Sequence, residues 1–269
     1  MKQIVEQFRQ LDRRNKITFV AVCLVILVMM CLPLFSHGQE PLRPVPDAMF
    51  QQAEPTRVLS VFGYSFPSPG PQQVLVQTHM YVACVDTKAR QPAWVAFRVE
   101  RSDWDTENIL ERNFTTPPEM RRICLEPSDF RKSGYELGHL YALQFAAACD
   151  RAYEVNYMCA VAAQRSNLNQ GPWLKAEKRI KDRSLNGAVK VIAGQLWRQE
   201  MPRLRLADEE HAVASDCWII ASDDTGTEAY LFPQNCRRDA ELSEFGIEPA
   251  ALRAMVAPRW TAQPTEEQR

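Results

Sequence analysis

An α+β fold is what this sequence predicts, and three observations carry the prediction. Short runs rich in β-branched and aromatic residues recur from Val74 onward. One charged, amphipathic segment, 172–184, has the length and spacing of a helix. Strand and helix signals are mixed without the regular strand–helix–strand alternation of a parallel sheet. Composition agrees: of 269 residues, 46% are hydrophobic and 24% charged, which excludes a mostly disordered chain and allows one large domain with its own core.

The N-terminal tail, residues 1–16, carries Lys2, Arg9, Arg13, Arg14 and Lys16 against Glu6 and Asp12. Residues 17–36 (ITFVAVCLVILVMMCLPLFS) hold no charged side chain. As a helix rising about 1.5 Å per residue, they match a hydrocarbon core of about 30 Å. Cations on the N-terminal flank predict a signal anchor with its tail in the cytoplasm and the rest exported. The expected location is therefore a bacterial inner membrane, single-pass, with the C-terminal domain in the periplasm. A cleaved signal peptide is the competing reading, since Ser36-His37-Gly38 offers small residues before Gln39. A mitochondrial intermembrane-space location is a third, opposed by Glu6 and Asp12 in a segment that transit peptides keep free of acids.

Residues 37–57 form a proline-rich linker. The globular domain is expected over 58–258, with a polar tail at 259–269. Strands are predicted at Val74–Val85, Ala93–Glu100, Val155–Ala162 and Ala188–Gly194. A late hairpin is predicted from Cys217–Ser222 and Glu228–Phe232, around Asp224–Gly226. A second helix is predicted over Glu248–Met255. Pro172 suits the first turn of the long helix. Beyond the apolar run lie Cys84, Cys124, Cys149, Cys159, Cys217 and Cys236; in an oxidising compartment most of these are expected to form disulfides. No cysteine or histidine spacing suits structural zinc.

The formal net charge is −1. Without the tail the remainder is acidic, so any phosphate-binding site must be local rather than a broad basic field.

Two stretches carry chemistry. The first runs from Asp129 to Leu140 (DFRKSGYELGHL) and the second from Gln164 to Glu177 (QRSNLNQGPWLKAE). His139 and Asn169 lie 30 residues apart. Flanking them are Pro92-Ala93-Trp94-Val95-Ala96-Phe97, Arg112-Asn113-Phe114 with Pro117, and Val189-Lys190-Val191-Ile192-Ala193-Gly194. Together these resemble the DNA/RNA non-specific endonuclease family, whose signature is Asp-Arg-Gly-His followed by Leu-Asn-Gln-Gly-x-Trp-x-x-x-Glu. The resemblance covers about residues 58–235.

It implies a ββα-metal nuclease fold, with a central antiparallel sheet flanked by helices. It also implies Mg²⁺-dependent, sequence-non-specific hydrolysis of DNA or RNA, with Mn²⁺ as a substitute. His139 would be the general base, since imidazole titrates near neutral pH. Asn169 would ligate the metal through a neutral oxygen, and Glu177 would hold its waters. Arg112 and Lys181 would contact phosphate. Gly138 is expected to turn the backbone and leave the His139 ring open to solvent. Asn169 also suits a helix N-cap. Gln170 and Trp173 read as packing and positioning residues. His79 and His211 read as structural or surface groups, and the charges at 175–183, Lys181 aside, as a solvated helix face.

The chain also departs from the family pattern. Glu136-Leu137 stands where the family has Asp-Arg, Ala160 where it has an asparagine, and Ala142 where a proline is expected. Leucine cannot replace the arginine's charge or fork. Two alternatives follow: a catalytically weak or inactive module that binds nucleic acid or a protein partner, and a phosphodiesterase for a non-polymer substrate.

Overall fold

The computed structural model describes residues 72–108, 110–204 and 211–256. The expected anchor, linker and C-terminal tail lie outside the described residues. Among those described, no helix is long and apolar enough to cross a membrane.

Six antiparallel strands form the main sheet: β1 (Gln73–Gln77), β2 (Val82–Asp86), β3 (Gln91–Val99), β6 (Val189–Leu196), β7 (Asp216–Asp223) and β8 (Gly226–Pro233). Their order is β1-β2-β3-β6-β7-β8. The expected strand Val74–Val85 is two strands, because Thr78 caps a tight turn. Its Oγ accepts from the Met80 and Tyr81 amides, both at 3.1 Å. The late hairpin is present, with Gly226 at φ 136° closing it.

The long apolar runs arise because both sheet faces are covered. Val95, Phe97 and Val99 of β3 enter one core, while Trp94 and Ala96 enter the other. The smaller core is closed by the helix Pro249–Val256 through Leu252 and Val256. The larger core is covered by a second ribbon and the long helix, and this layer carries the site.

That ribbon pairs β4 (Glu136–His139) with β5 (Val161–Gln164); His139 faces Val161 and Glu136 faces Gln164. Two short helices, α1 (Arg101–Trp104) and α2 (Ser166–Asn169), flank it in sequence, and the long helix α3 spans Pro172–Arg183. The predicted strand Val155–Ala162 is mostly not strand. Ala152–Asn156 and Met158–Ala160 are 3₁₀ turns, and the ladder with β4 begins at Val161. Between the two 3₁₀ turns a single parallel bridge joins Tyr157 to Thr115: the Met158 amide donates to Thr115 O and Thr115 N donates to Asn156 O, both at 3.1 Å. The ribbon's end is fixed to the sheet by Tyr141, whose ring stacks on Phe97 at 4.1 Å between centroids.

Three local expectations need correction. Gly138 makes no turn. It lies within β4, where a Cβ would overlap the buried Gln164 side chain. Asn169 does not cap the long helix; it ends α2, and Gly171 takes the cap position of α3. No disulfide joins any of the six described cysteines. Five of them are buried; Cys159 Sγ lies 3.2 Å from the Tyr81 hydroxyl and beside Cys124, and Cys217 Sγ accepts from Gln164 Nε2 at 3.5 Å. Burial pushes the Cys84 and Cys217 thiols up to about 12.

Replacing Gly138 by alanine should force Gln164 or the ribbon to shift. The expected cost is about 1–3 kcal/mol of stability, read by denaturant unfolding; an unchanged midpoint would refute the close-packing role.

Candidate active site

The end of β4, the end of α2, the helix α3 and the loop bearing Arg112 carry the predicted residues. His139 closes β4 with only 8% of its surface exposed, not open to solvent as expected. Its Nε2 lies 2.9 Å from Asn156 Oδ1, and Asn156 Nδ2 donates to Glu111 O at 3.1 Å. A backbone carbonyl can only accept, so the Asn156 amide must present its oxygen to the imidazole. Nε2 therefore carries the proton, and Nδ1 holds the lone pair with no partner among the described residues. Phe114 packs against the ring at 4.7 Å, and the Trp173 indole donates to His139 O at 3.2 Å. Burial lowers the His139 pKa to about 4, with the Arg112 charge adding to the effect and the Asn156 bond opposing it.

Asn169 donates from Nδ2 to Glu136 Oε2 at 2.8 Å, and Gln170 donates from Nε2 to Glu136 Oε1 at 2.6 Å. A carboxylate only accepts, so both amides turn their nitrogens toward it. The Asn169 carbonyl oxygen is thereby released, with no hydrogen-bond partner among the described residues.

Glu177 sits on α3 and accepts from Gln144 Nε2 at 3.3 Å. Desolvation raises its pKa to about 7 against the opposing pull of the Trp173 indole, Arg112 and Gln144. Arg112 is exposed and acts electrostatically on both His139 and Glu177. Lys181 is not gathered with them; its Nζ lies 4.2 Å from the centre of the Trp104 ring. The charges on the rest of α3 are not simply solvated. Arg183 is buried and bound to Asp223, Arg179 pairs with Glu228, and Lys175 reaches Glu241. His79 pairs with Glu154 at 3.0 Å, and His211 is buried.

The donor set suits a hard cation held lightly. Asn169 Oδ1 offers one neutral oxygen and Glu177 one carboxylate, while among the described residues no three His, Cys, Asp or Glu side chains converge as a cage. A β-ribbon whose first strand ends in histidine, followed by a helix bearing glutamate, is the ββα arrangement implied by the sequence signature.

A family model described as DNA/RNA non-specific endonuclease matches residues 59–255. The chain belongs to that family. Among curated proteins, it is 26% identical over 195 residues to a nuclease of Serratia marcescens, covering 67% of this chain and 72% of that one. Among solved structures, it resembles one from a crystal structure of an EndoG/EndoGI complex, with a TM-score of 0.65 and 19% identity. That match covers 76% of this chain and 91% of the other, and it supports the fold. Family membership supports nucleic-acid phosphodiester hydrolysis in general terms.

Sequence reasoning missed Asn156, Glu136 and Gln144. Asn156 gave no signal of its own, lying in a run read as strand. Glu136 was visible only as a departure from aspartate, although it keeps the same charge.

Arg112→Ala should move both the His139 and Glu177 pKa values upward, as followed by NMR titration, because one positive charge depresses both. Unmoved values would show that Arg112 acts on neither. Glu177 also has a stability signature. Its folded-state pKa lies above the ordinary 4.5, so stability should fall as pH rises from about 4.5 through about 7. Glu177→Gln should flatten that decline in denaturant unfolding with EDTA present. His139 contributes the opposite slope, losing stability as pH falls from about 6.5 toward 4.

Proposed function

We propose that this chain cleaves DNA or RNA without sequence preference, with His139 as general base and Mg²⁺, or Mn²⁺ in its place, as metal. The observation that carries the reading is the paired orientation of His139 and Asn169. Each has one polar atom locked to a partner that fixes its polarity, and each keeps one acceptor atom unengaged. His139 is neutral above a pH of about 4, so Nδ1 can take a proton from water at neutral pH. The imidazolium so formed keeps its Nε2–H on Asn156 Oδ1. Arg112 disfavours that cation in the free protein. A bound phosphate would offset the guanidinium charge and raise the basicity of His139 when substrate arrives. Asn169 would hold the metal directly and Glu177 its waters; Lys181 would lend charge from the same helix. When bound, the ion would relieve charge on the phosphate and the leaving oxygen. Phosphate-directed contacts carry no base information, so cleavage is expected without sequence preference.

A second reading is favoured by Leu137, half-buried against the core, and by Ala160, fully buried. Both replace polar family residues, and a site short of two polar contacts could bind without cutting. We also propose that the charge-free run 17–36 anchors the chain in a bacterial inner membrane, with the domain on the periplasmic side.

The full-length chain should nick plasmid with Mg²⁺ and not with EDTA. His139→Ala should lower the rate by about 10²–10⁴-fold. No nicking in any divalent metal by folded protein would favour the binding module. Glu136→Ala should raise the Mg²⁺ concentration for half-maximal nicking by about 10–100-fold, because it frees the Asn169 amide to rotate. An unchanged requirement would remove Glu136 from the account.

A further inference from the structure

Leu137 leaves β4 without the cation that the family pattern places beside the histidine, and the structure offers a substitute from another part of the chain. Arg238 lies in the loop after β8. Its guanidinium donates to Gln170 Oε1 at 2.8 Å, and Gln170 donates onward to Glu136, which holds Asn169. The loop is seated firmly. Gly171 lacks the Cβ that would meet Arg238 O at 2.5 Å, and Lys175 Nζ ties Asp239 O at 3.2 Å and Ala240 O at 2.9 Å. Arg238 forms no ion pair among the described residues. Its neighbour Arg237 pairs with Asp239 and Glu244, and Arg179 and Arg183 pair with Glu228 and Asp223. Through Gln170 it reaches Glu136, two hydrogen bonds away and already engaged by two amides.

We propose that Arg238 binds a phosphate of the nucleic-acid backbone next to the scissile one, supplying from the C-terminal loop the charge that Leu137 omits. This rests on the nuclease reading. The guanidinium fork can hold Gln170 with one nitrogen and a phosphate oxygen with the others.

The test is binding of a short fluorescent DNA duplex to the full-length His139→Ala chain in Mg²⁺ buffer, from about 50 to 200 mM salt. Adding Arg238→Ala should weaken binding about tenfold and make the log–log salt slope shallower by about 0.9. Arg238→Lys should keep the slope and recover part of the affinity. Arg237→Ala should change neither. Arg238→Gln separates charge from positioning, since glutamine can still donate to Gln170. If it restores affinity and slope, Arg238 acts only by steadying Gln170 and the proposal fails. An unchanged slope in Arg238→Ala also overturns it, and if the unmodified chain nicks plasmid, this inference fails alone. A chain that neither nicks nor binds overturns this inference and the nuclease reading together.

Discussion

A carboxylate cannot donate a hydrogen bond, and the candidate site depends on that constraint at Glu136. Its two oxygens face two side-chain amides, so both must approach nitrogen first. One amide then turns its oxygen into the place where a metal would be ligated, and the other turns its oxygen to Arg238. The orientation of both amides is thus set by one group on β4. The same logic runs through Asn156, where a backbone carbonyl fixes the amide and the amide fixes the imidazole tautomer.

Burial acts on the two titrating groups in opposite chemical senses. It favours the neutral form of each, which leaves His139 able to take a proton and Glu177 able to retain one at neutral pH. Arg112 reinforces the first effect and opposes the second. A single exposed guanidinium therefore couples two side chains from different elements, and a bound phosphate would be felt by both.

Much of the fold was legible in the sequence, and its failures have physical causes. The late hairpin and long helix were readable because turn chemistry and amphipathic spacing act locally. Val74–Val85 looked continuous because its apolar pattern crosses a turn held by a side chain, Thr78. Val155–Ala162 looked like a strand because buried 3₁₀ turns and buried strands are equally apolar. Of the site, His139, Asn169 and Glu177 stood out through spacing. Asn156 and Arg238 did not, because their relation to the site exists only after the chain has folded. The openness expected of His139 is absent because Gly138 makes room for the Gln164 side chain and does not turn the backbone. The expected disulfides are not formed among the described cysteines, although Cys124 lies against Cys159 and Cys217 lies near Cys236; an even cysteine count predicts neighbours, not the bond between them.

The helix α3 is held at its two ends by ion pairs of different character. Lys175 and Glu241 are 34% and 73% exposed, while Arg183 and Asp223 are 6% and 10% exposed. Ions in solution screen the first pair and scarcely reach the second. Rising ionic strength therefore weakens the Lys175–Glu241 pair before the Arg183–Asp223 pair, while the Lys175 hydrogen bonds to Asp239 O and Ala240 O still hold the loop. The two ends of α3 thus differ in how far dissolved ions reach the contacts that hold them.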